Sequence, residues 1–512
     1  MSKNNNKKDK KIKEKKNVEQ TNLTDINTEM KSYSNESITD SMASNDLLNT
    51  ENNNNVIEYN YNPVIIEIPE IENSIFDYEP DVNFSTNIDY PCNKFGFNHF
   101  LHATKNKTVI FNKFEGKKKT YQVFNKFERY IDNYNESIGN VSNNFFSLNT
   151  KPKILSRGFY KLWEILMYFD LIDINTQDFV SAHLAEGPGS FIQATMFYRD
   201  MFSKKNVSKN DKYYAVTLHA EDKTIHPLDK NFIDFYKNEK PQRFLLHKTY
   251  SKEQIGGSKK KDNGDITNPK TIKLFGGQME RKADFITADG GFEWKNENIQ
   301  EQEAFRLILS EVITAVKNQN KNGNFVCKFF ETFTKTSLKI LSLLRMFYDT
   351  VYIVKPLTSR ESNSEKYIVC MKFKYDSNSS EYKQYIKILD KLQKTVYNEK
   401  SKKIVDIFTE YELSKKLTNT MIIANTTIAN NQFKIINQMI AFIKKEIYTG
   451  EEYHTHRDKQ INASKFWIDL FFNNDLKSIK NKCMKIVNNS IKNTNKKIDM
   501  LSIKLVNVSE QN

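Results

Sequence analysis

The chain has 512 residues, 38% of them hydrophobic, and its 77 basic and 63 acidic residues give a formal net charge of +14. This length allows two or three domain-sized pieces, and the basic excess favours polyanionic partners, although a solvated lysine-rich surface would give the same charge. The four cysteines are far apart and no apolar run approaches about 18 residues, which argues against a disulfide framework, a zinc site and a membrane span. Together with the charged first 16 residues, the cysteine usage predicts a reducing intracellular compartment.

The N-terminal part changes composition twice. Residues 1–55 are rich in Asn, Lys and Ser and poor in apolar residues, so we predict a disordered low-complexity tail. Residues 56–150 are predicted to form an acidic segment and a helical extension, with one amphipathic helix running from Tyr121 to Tyr134. The apolar run VIIEIPEI at 64–71 fits a short strand or a docking segment, and Pro69 argues against a central strand. No sequence feature identifies a protein partner for this acidic segment.

Residues 151–378 alternate between strand-like and helical patterns. This alternation predicts βαβ units and an α/β domain with a mostly parallel sheet. The short linker between the last two strands predicts an antiparallel hairpin at one edge of the sheet. The predicted strands are 179–184, 213–218, 244–248, 283–289, 323–330, 350–356 and 366–374, and the clearest helices are 159–169, 301–319 and 337–348.

Strand signals fade beyond this domain. Residues 379–475 carry apolar residues at helical spacing and are predicted to form a helical C-terminal region. The apolar positions fall on two faces, one of Tyr385, Ile388, Leu389 and Leu392, the other of Phe433, Ile436, Met439, Ile440 and Ile443. Residues 476–512 are rich in Lys and Asn and are predicted to be a fraying tail.

The stretch HLAEGPGSF at 183–191 predicts a strand-to-helix turn in which glycines let the backbone approach a ligand. Its spacing fits neither the dinucleotide-binding motif nor the phosphate-binding loop, and alone it would be an ordinary loop before a helix. Asp289 and Lys328 follow or end neighbouring predicted strands, so their side chains can converge at one edge of the sheet. A lysine in an apolar strand is costly to bury unpaired, and the alternative to a functional role is a purely structural ion pair.

Six stretches occur in one order: SRGFYKLWEI, HLAEGPGSF, NGDITNP, TADGGFEW, NFVCKFFETFT and KPLTSRESNSEKYIVC. Together, over residues 153–375, they resemble the FtsJ-like RNA 2′-O-ribose methyltransferases, and within them most closely the mRNA cap ribose methyltransferases of eukaryotes and large DNA viruses. The resemblance implies a Rossmann-like sheet, mostly parallel with one antiparallel edge strand, that binds S-adenosyl-L-methionine. It also implies that the partner is RNA and that no metal takes part.

The resemblance assigns a catalytic Lys-Asp-Lys-Glu set to Lys161, Asp289, Lys328 and Glu365. A ribose 2′-OH is a weak acid, so a base must take its proton as the methyl group arrives, and Lys328 is the residue that matches the family's base. A free lysine, with a pKa of about 10.4, is protonated at neutral pH. Desolvation and the nearby Lys161 would lower the Lys328 pKa, and we expect that direction.

The resemblance also assigns the cofactor site, with the methionine part against the glycine-rich turn and the adenine near Asp265 and Ile266. The implied cofactor-binding residues are Glu186, Gly187, Pro188, Gly189, Ser190, Phe191, Leu218, Asp265 and Ile266. His183, just before the turn, is interpreted as a core histidine with satisfied hydrogen bonds.

The implied substrate is the cap-proximal nucleotide of mRNA, with Lys153, Arg157 and Arg360 as candidate RNA contacts. Two alternatives stay open: the same reaction on rRNA or tRNA, and a catalytically inactive RNA-binding subunit that keeps the fold. The expected location is intracellular and cytoplasmic. Heavy use of Asn, Lys and Ile suggests an AT-rich genome, and a viral chain would act in the host cytoplasm or the virion.

Overall fold

A computed structural model gives the structure of the protein. It describes residues 61–87, 98–114, 120–128, 137–218, 226–239, 263–291, 296–446 and 448–509. All of them belong to one unit, Tyr59–Asn512, whereas the unit Met1–Glu58 lies outside the described residues. The predicted tail over 1–55 and the predicted strand over 244–248 therefore also lie outside them.

The described part of the chain forms a seven-stranded sheet and a two-stranded sheet. The strands are β1 Val64–Glu67, β2 Val82–Ser85, β3 Val180–Leu184, β4 Lys212–Val216, β5 Ala283–Ala288, β6 Gln319–Phe329, β7 Tyr348–Lys355, β8 Lys366–Phe373 and β9 Lys403–Ile407. In the large sheet the order is β1-β7-β8-β6-β5-β3-β4, and β2 pairs with β9 in the small one.

The helices alternate with these strands and then continue to Ser509. Those in the described residues are α1 Asn98–Asn106, α2 Ile138–Phe145, α3 Gly158–Phe169, α4 Ser190–Phe202, α5 Lys230–Glu239, α6 Pro269–Gln278, α7 Gln300–Asn318, α8 Lys335–Phe347, α9 Ser380–Asn398, α10 Lys415–Lys444, α11 Glu451–Phe471 and α12 Leu476–Ser509. Among the residues that the structure describes, none of these helices is both long and apolar enough to cross a membrane.

The sheet confirms the predicted α/β class. β4, β3, β5 and β6 are mutually parallel, and β8 runs antiparallel to both β6 and β7. The predicted hairpin of the last two strands is therefore present, but the prediction that it lies at the edge is wrong. β8 inserts between β6 and β7, and the edge position is taken by β1, which pairs antiparallel with β7. The run VIIEIPEI thus supplies an edge strand, with Pro69 beyond its end.

Helices cover both faces of the large sheet, so its strands are buried on both sides. Successive side chains of a strand point to opposite faces, and in β6 Phe325 and Cys327 join one core cluster whereas Val326 joins the other. The first cluster includes residues of α7 and α8, and the second includes residues of α3, α4, α11 and α12. This alternation decides which helix each functional side chain of β6 can reach.

The C-terminal region is helical as predicted, with two departures. β9 is a strand within it, held by pairing with β2 far away in the sequence, which a local pattern does not reveal. The expectation of a fraying tail from residue 476 is wrong for most of its length, because α12 packs against the domain. Ile479, Cys483 and Val487 are buried at helical spacing, and Ser490 Oγ donates to the carbonyl of Ile65 in β1 at 3.2 Å.

The helix predicted from Tyr121 to Tyr134 is not formed over its described part. Thr120–Phe124 is a short 3₁₀ helix, and a turn follows it through Phe127. Residues 129–136 lie outside the described residues. Phe127 and Val123 are nevertheless buried, so the apolar pattern reports packing of an irregular segment on the domain.

Candidate active site

The glycine-rich turn joins β3 to α4 and is organised from within by Glu186. The Glu186 Oε1 atom accepts hydrogen bonds from the backbone N–H groups of Phe191 (2.8 Å) and Ile192 (3.1 Å), in the first turn of α4. Gly189 precedes the helix with φ of +112°, a left-handed conformation that favours glycine. Burial raises the pKa of Glu186, and its Oε2 atom has no hydrogen-bond partner among the described residues.

A cleft of about 810 Å³ opens at the carboxyl ends of β3, β4 and β5. Five of the predicted cofactor residues line it: Gly187, Pro188, Leu218, Asp265 and Ile266. The other four, Glu186, Gly189, Ser190 and Phe191, are not among the residues that line it. Among these, Ser190 Oγ hydrogen-bonds Ser156 Oγ at 2.7 Å, and the ring of Phe191 is buried 5.9 Å from that of Tyr367. Thr217, His226, Leu307 and Phe330 also line the cleft, and sequence reasoning did not single them out.

The NGDITNP loop closes one side of this cleft by a tight backbone approach. Gly264 has φ of +76°, and a Cβ there would come within 2.1 Å of the Thr217 carbonyl oxygen at the end of β4. Asp265 Oδ1 accepts from the N–H (2.9 Å) and the hydroxyl (2.6 Å) of Thr267. The close approach at Gly264 and the hydrogen bonds from Thr267 to Asp265 together hold Asp265 and Ile266 at the cleft.

The four residues of the predicted catalytic set form two ion pairs. Lys328 Nζ lies 3.1 Å from Asp289 Oδ1 and donates to the Asp289 backbone carbonyl at 2.9 Å. Lys161 Nζ lies 2.7 Å from Glu365 Oε1. Asp289 and Lys328 line the cleft, whereas Lys161 and Glu365 lie behind this pair, with Glu365 close enough to act on the charge of Lys328. Their side chains are between 12% and 24% exposed, which leaves these charges only partly screened by water.

Strand register explains this convergence. Ala288 of β5 pairs with Cys327 of β6. The residues that follow them, Asp289 and Lys328, therefore lie side by side. Lys328 shares the face of Val326, the face covered by α3, where Lys161 occupies the first turns. Glu365 directly precedes β8, which pairs with β6, and this brings its carboxylate to the same place.

The charges of the site set its pKa values. Burial alone would lower the pKa of Lys328, but Asp289 and Glu365 outweigh it and the pKa is raised. The expected lowering is therefore wrong for this structure, because two carboxylates act on the amine more strongly than burial does. Burial alone would raise the pKa of Glu365, but the charges of Lys161 and Lys328 outweigh it and the pKa falls to about 2.

Two further groups belong to the site that sequence reasoning did not name. The Tyr367 hydroxyl donates to Asp289 Oδ1 at 3.2 Å, so this carboxylate oxygen is shared between a phenol and an amine. The signal was available, because Tyr367 follows Glu365 by two positions and a strand alternates its faces. Glu311 on α7 accepts from the Gly290 N–H at 3.1 Å, and burial raises its pKa to about 8. Nothing in its helical pattern pointed to that contact.

Two of the three candidate RNA contacts are held by a buried carboxylate. Glu128, whose side chain is fully buried, lies 3.0 Å from Arg157 Nη1 and 2.7 Å from Arg360 Nε. Lys153, by contrast, is exposed. Arg360 lies in the loop between β7 and β8, and Arg157 donates to the Thr358 carbonyl of that loop, so both arginines join Glu128 to it. The side chain of Arg157 is 16% exposed and that of Arg360 is 35% exposed.

A second cavity of about 430 Å³ is lined in part by Glu365. Phe330 lines both this cavity and the cleft, so the two spaces adjoin. The lining of the second cavity is rich in amides and hydroxyls, with Gln122, Asn125, Gln300, Asn363 and Gln432 among them.

His183 has the structural role expected for it. It is buried, with Nε2 2.9 Å from Ser181 Oγ and Nδ1 2.7 Å from Thr287 Oγ1, and burial lowers its pKa to about 3. Among the described residues, no group of three or more His, Cys, Asp or Glu side chains is arranged to hold a metal ion.

The structure thus has a cleft at the carboxyl ends of the sheet strands and a paired Lys-Asp-Lys-Glu set close to it, the arrangement that the family resemblance predicted. Residues 154–373 match the model of the FtsJ-like methyltransferase family. This match agrees with the resemblance that the six sequence motifs predicted.

Curated relatives carry related names. Cap-specific mRNA (nucleoside-2′-O-)-methyltransferase 1A of Caenorhabditis briggsae is 28% identical over 305 residues, which are 58% of this chain and 32% of that protein. Cap-specific mRNA (nucleoside-2′-O-)-methyltransferase 1 of Homo sapiens is 28% identical over 272 residues, 51% of this chain and 30% of that protein. A relative named inactive, the 1B protein of Caenorhabditis briggsae, is 27% identical over 58% of this chain and 33% of its own length.

The chain thus spans about a third of the length of these relatives. Among solved structures, human methyltransferase-like protein 13 in complex with SAH has a TM-score of 0.24 and 12% identity, covering 47% of this chain and 92% of that one.

Proposed function

We propose that the protein transfers a methyl group from S-adenosylmethionine to a ribose 2′-OH of RNA, and that its substrate is the cap-proximal nucleotide of mRNA. The observation that carries the proposal is the convergence of Lys161, Asp289, Lys328 and Glu365 at the edge of the cleft. The cap-specific names of the relatives support the choice of RNA. A relative of similar identity is named inactive, so the support for catalysis comes from the four side chains.

The lining of the cleft fits S-adenosylmethionine. Its volume of about 810 Å³ is within the range of small-molecule sites, about 300–1,000 Å³. Leu218, Ile266 and Phe330 offer an apolar wall for an adenine ring, and the Asp265 carboxylate is suited to accept from hydroxyl groups. When bound, this cofactor supplies a methyl group on a positively charged sulfur.

The chain's own residues would position the acceptor and take its proton. In its neutral form Lys328 Nζ would accept the proton of the 2′-OH, and the bound cofactor would supply the methyl group that replaces this proton on the ribose oxygen. Asp289 holds the Lys328 amine through two contacts, and Tyr367 fixes the Asp289 carboxylate. Much of the rate enhancement would come from this positioning, since well-oriented groups react with effective molarities of about 10⁵ M or more.

The acceptor would reach this set from the second cavity. Glu365 and Arg360 line that cavity, and the Phe330 ring separates it from the cofactor cleft. Its many amide and hydroxyl groups are suited to hydrogen bonds with bases and ribose of an unpaired strand. The formal charge of +14 adds a general attraction for RNA. The proposal keeps the intracellular, cytoplasmic location expected from the sequence.

The test is transfer of a labelled methyl group to capped RNA, to the same RNA without a cap, and to structured rRNA and tRNA. Nuclease digestion of the product then shows which ribose carries the label. We expect label on the cap-proximal ribose only. Label on rRNA or tRNA alone would overturn the cap assignment while leaving the chemistry, and no transfer to any RNA would favour an inactive RNA-binding subunit.

The role of Lys328 is tested with Lys328→Met, which removes the amine and keeps the length of the side chain. We expect methyl transfer to fall by at least about 100-fold while RNA binding stays close to the wild-type value. The matched control is Lys339→Met, since Lys339 is also buried but pairs with Asp406 away from the cleft. Full activity of the Lys328→Met variant would refute the assignment of the base.

A further inference from the structure

The loop from Pro356 to Glu365, between β7 and β8, carries the carboxylate that pairs with Lys161. Its start is held by Glu164 of α3, whose Oε2 atom accepts from the N–H of Thr358 at 3.1 Å and from its hydroxyl at 3.0 Å. Its middle is held through Arg360 by Glu128. The end of the loop, where Glu365 lies, is held by neither of these groups.

Lys355, the last residue of β7, holds that end. Its side chain is buried, and its three N–H groups are shared among four acceptor oxygens that all lie in the loop. These acceptors are Ser359 Oγ at 3.3 Å, the Asn363 carbonyl at 2.9 Å, Asn363 Oδ1 at 3.1 Å and the Glu365 carbonyl at 2.7 Å. No carboxylate is among these four acceptors, which makes Lys355 unlike Lys161 and Lys328.

Ser359 connects this amine to the predicted catalytic set. Its hydroxyl lies 2.9 Å from Glu365 Oε1, the same oxygen that Lys161 approaches at 2.7 Å. A protonated lysine only donates, so the Ser359 oxygen accepts from Lys355 and its single hydrogen points to Glu365, whose Oε1 atom at 2.9 Å is nearer than its carbonyl oxygen at 3.3 Å. The chain of contacts is therefore Lys355 to Ser359 to Glu365 to Lys161.

We propose that Lys355 is a positioning residue, which acts through Ser359 and the loop backbone to aim the Glu365 carboxylate at Lys161. The proposal rests on the proposed function, because it concerns the same reaction. It assigns Lys355 no contact with RNA or cofactor, and Lys355 does not line the cofactor cleft.

The charges around Lys355 fit this role. Burial is the largest cause that lowers the Lys355 pKa to about 7, and the charges of Lys366 and Lys161 act in the same direction. The carboxylates of Glu365 and Glu361 act to raise it. An amine in such surroundings changes its protonation near neutral pH. Protonated Lys355 keeps all of its donors, so the loop is held most firmly on the acid side of this titration.

Hydrogen–deuterium exchange of the full chain tests the proposal without using activity. In Lys355→Met we expect the amides between Thr358 and Glu365 to exchange about tenfold faster, because the contacts at the end of the loop are lost. In Lys339→Met, where a buried lysine bound to Asp406 is removed elsewhere, their exchange stays at the wild-type rate. Unchanged exchange of the loop in Lys355→Met would overturn the proposal.

Kinetics test the connection through Ser359. In Lys355→Met we expect kcat for methyl transfer to fall by about 100-fold with an unchanged KM for S-adenosylmethionine, since a misplacement near 1 Å has an effect of this size. Ser359→Ala should lower kcat by about tenfold, and the double variant should be no slower than Lys355→Met alone. Multiplied effects in the double variant would show that the two residues act independently and would refute the relay.

Two outcomes separate this proposal from the proposed function. If the wild-type protein methylates no RNA, the proposed function fails and the exchange experiment still decides whether Lys355 holds the loop. If Lys355→Met does not fold, Lys355→Arg and Ser359→Ala carry the test. Arginine keeps donors at this position and should leave kcat within about threefold of the wild type. An arginine variant that folds but is as slow as Ser359→Ala or slower would count against the proposal.

Discussion

Replacing Glu365 with Gln removes one negative charge from between two lysines and leaves the size of the side chain unchanged. The carboxylate lies 2.7 Å from Lys161 Nζ and is only 14% exposed, so little solvent screens the pair. Its pKa is lowered from 4.5 to about 2, against the opposing effect of burial, by Lys161 and Lys328. Ionised Glu365 is therefore more strongly bound to its surroundings in the folded protein than in the unfolded chain.

This difference in pKa fixes the expected size and sign of the effect. At about 1.4 kcal/mol per pH unit, ionised Glu365 stabilises the folded protein by about 3 kcal/mol. Because the folded pKa is depressed, this stabilisation is present above pH 4.5 and is lost as the pH falls toward 2. About 2 kcal/mol should be lost by pH 3. Glutamine does not titrate, so the loss should be missing from Glu365→Gln.

The assay is unfolding by urea, which adds no salt to screen the pair, at several pH values between 5.5 and 3. The quantity of interest is the difference in unfolding free energy between the wild type and Glu365→Gln, which should shrink by about 2 kcal/mol over this range. Glu410→Gln, at an exposed position, is the control for removing a carboxylate as such. A difference that stays constant to within about 0.5 kcal/mol would refute the pairing of Glu365 with the two lysines.

Three further predictions concern the pH dependence of the rate, the ion pairs of Glu128 and the packing of α12. Because carboxylates raise the Lys328 pKa, kcat for methyl transfer should rise with pH through the neutral range, by about tenfold per pH unit where chemistry is limiting. In a profile of kcat against pH, Asp289→Asn should move this rise to lower pH. Glu128→Gln should destabilise the fold by about 3–5 kcal/mol in urea unfolding, because two partly buried arginines lose their carboxylate, whereas Glu399→Gln at an exposed pair should cost less than about 1 kcal/mol. Ile479→Ala should cost about 2–4 kcal/mol and the exposed Met484→Ala close to nothing, and equal small effects would mean that α12 does not pack as described.

The sequence predicted those parts of the fold and of the candidate site that depend on the local pattern of residues. Asp289 and Lys328 were expected to meet because each follows or ends a strand and parallel strands end at one edge. Lys161 and Glu365 were named only through the family resemblance, since no spacing relates a helix residue to a loop about 200 positions away. The structure brings all four together, while their roles in catalysis stay predictions.

The errors have a common physical cause. The Lys328 pKa depends on how many charges of each sign surround the amine, and Glu365 reaches it only through the pairing of β8 with β6. β9 and the pairing of Arg157 and Arg360 with Glu128 are likewise set by partners distant in the sequence. The burial of α12 was missed because a Lys- and Asn-rich composition hides an apolar stripe of few residues, Ile479, Cys483 and Val487.

The contacts around the loop that carries Glu365 also explain why the segments outside residues 154–373 matter to the site. Glu164 of α3 holds Thr358, and its Oε2 atom also accepts from the Trp467 indole N–H of α11 at 3.1 Å. Glu128, which precedes the matched region, holds Arg360 in the same loop. A buried carboxylate with several donors is fixed only if all of its donors are present. The N-terminal segment and the C-terminal helices therefore contact the loop that carries Glu365 and line the second cavity beside it, while none of their described residues lines the cofactor cleft.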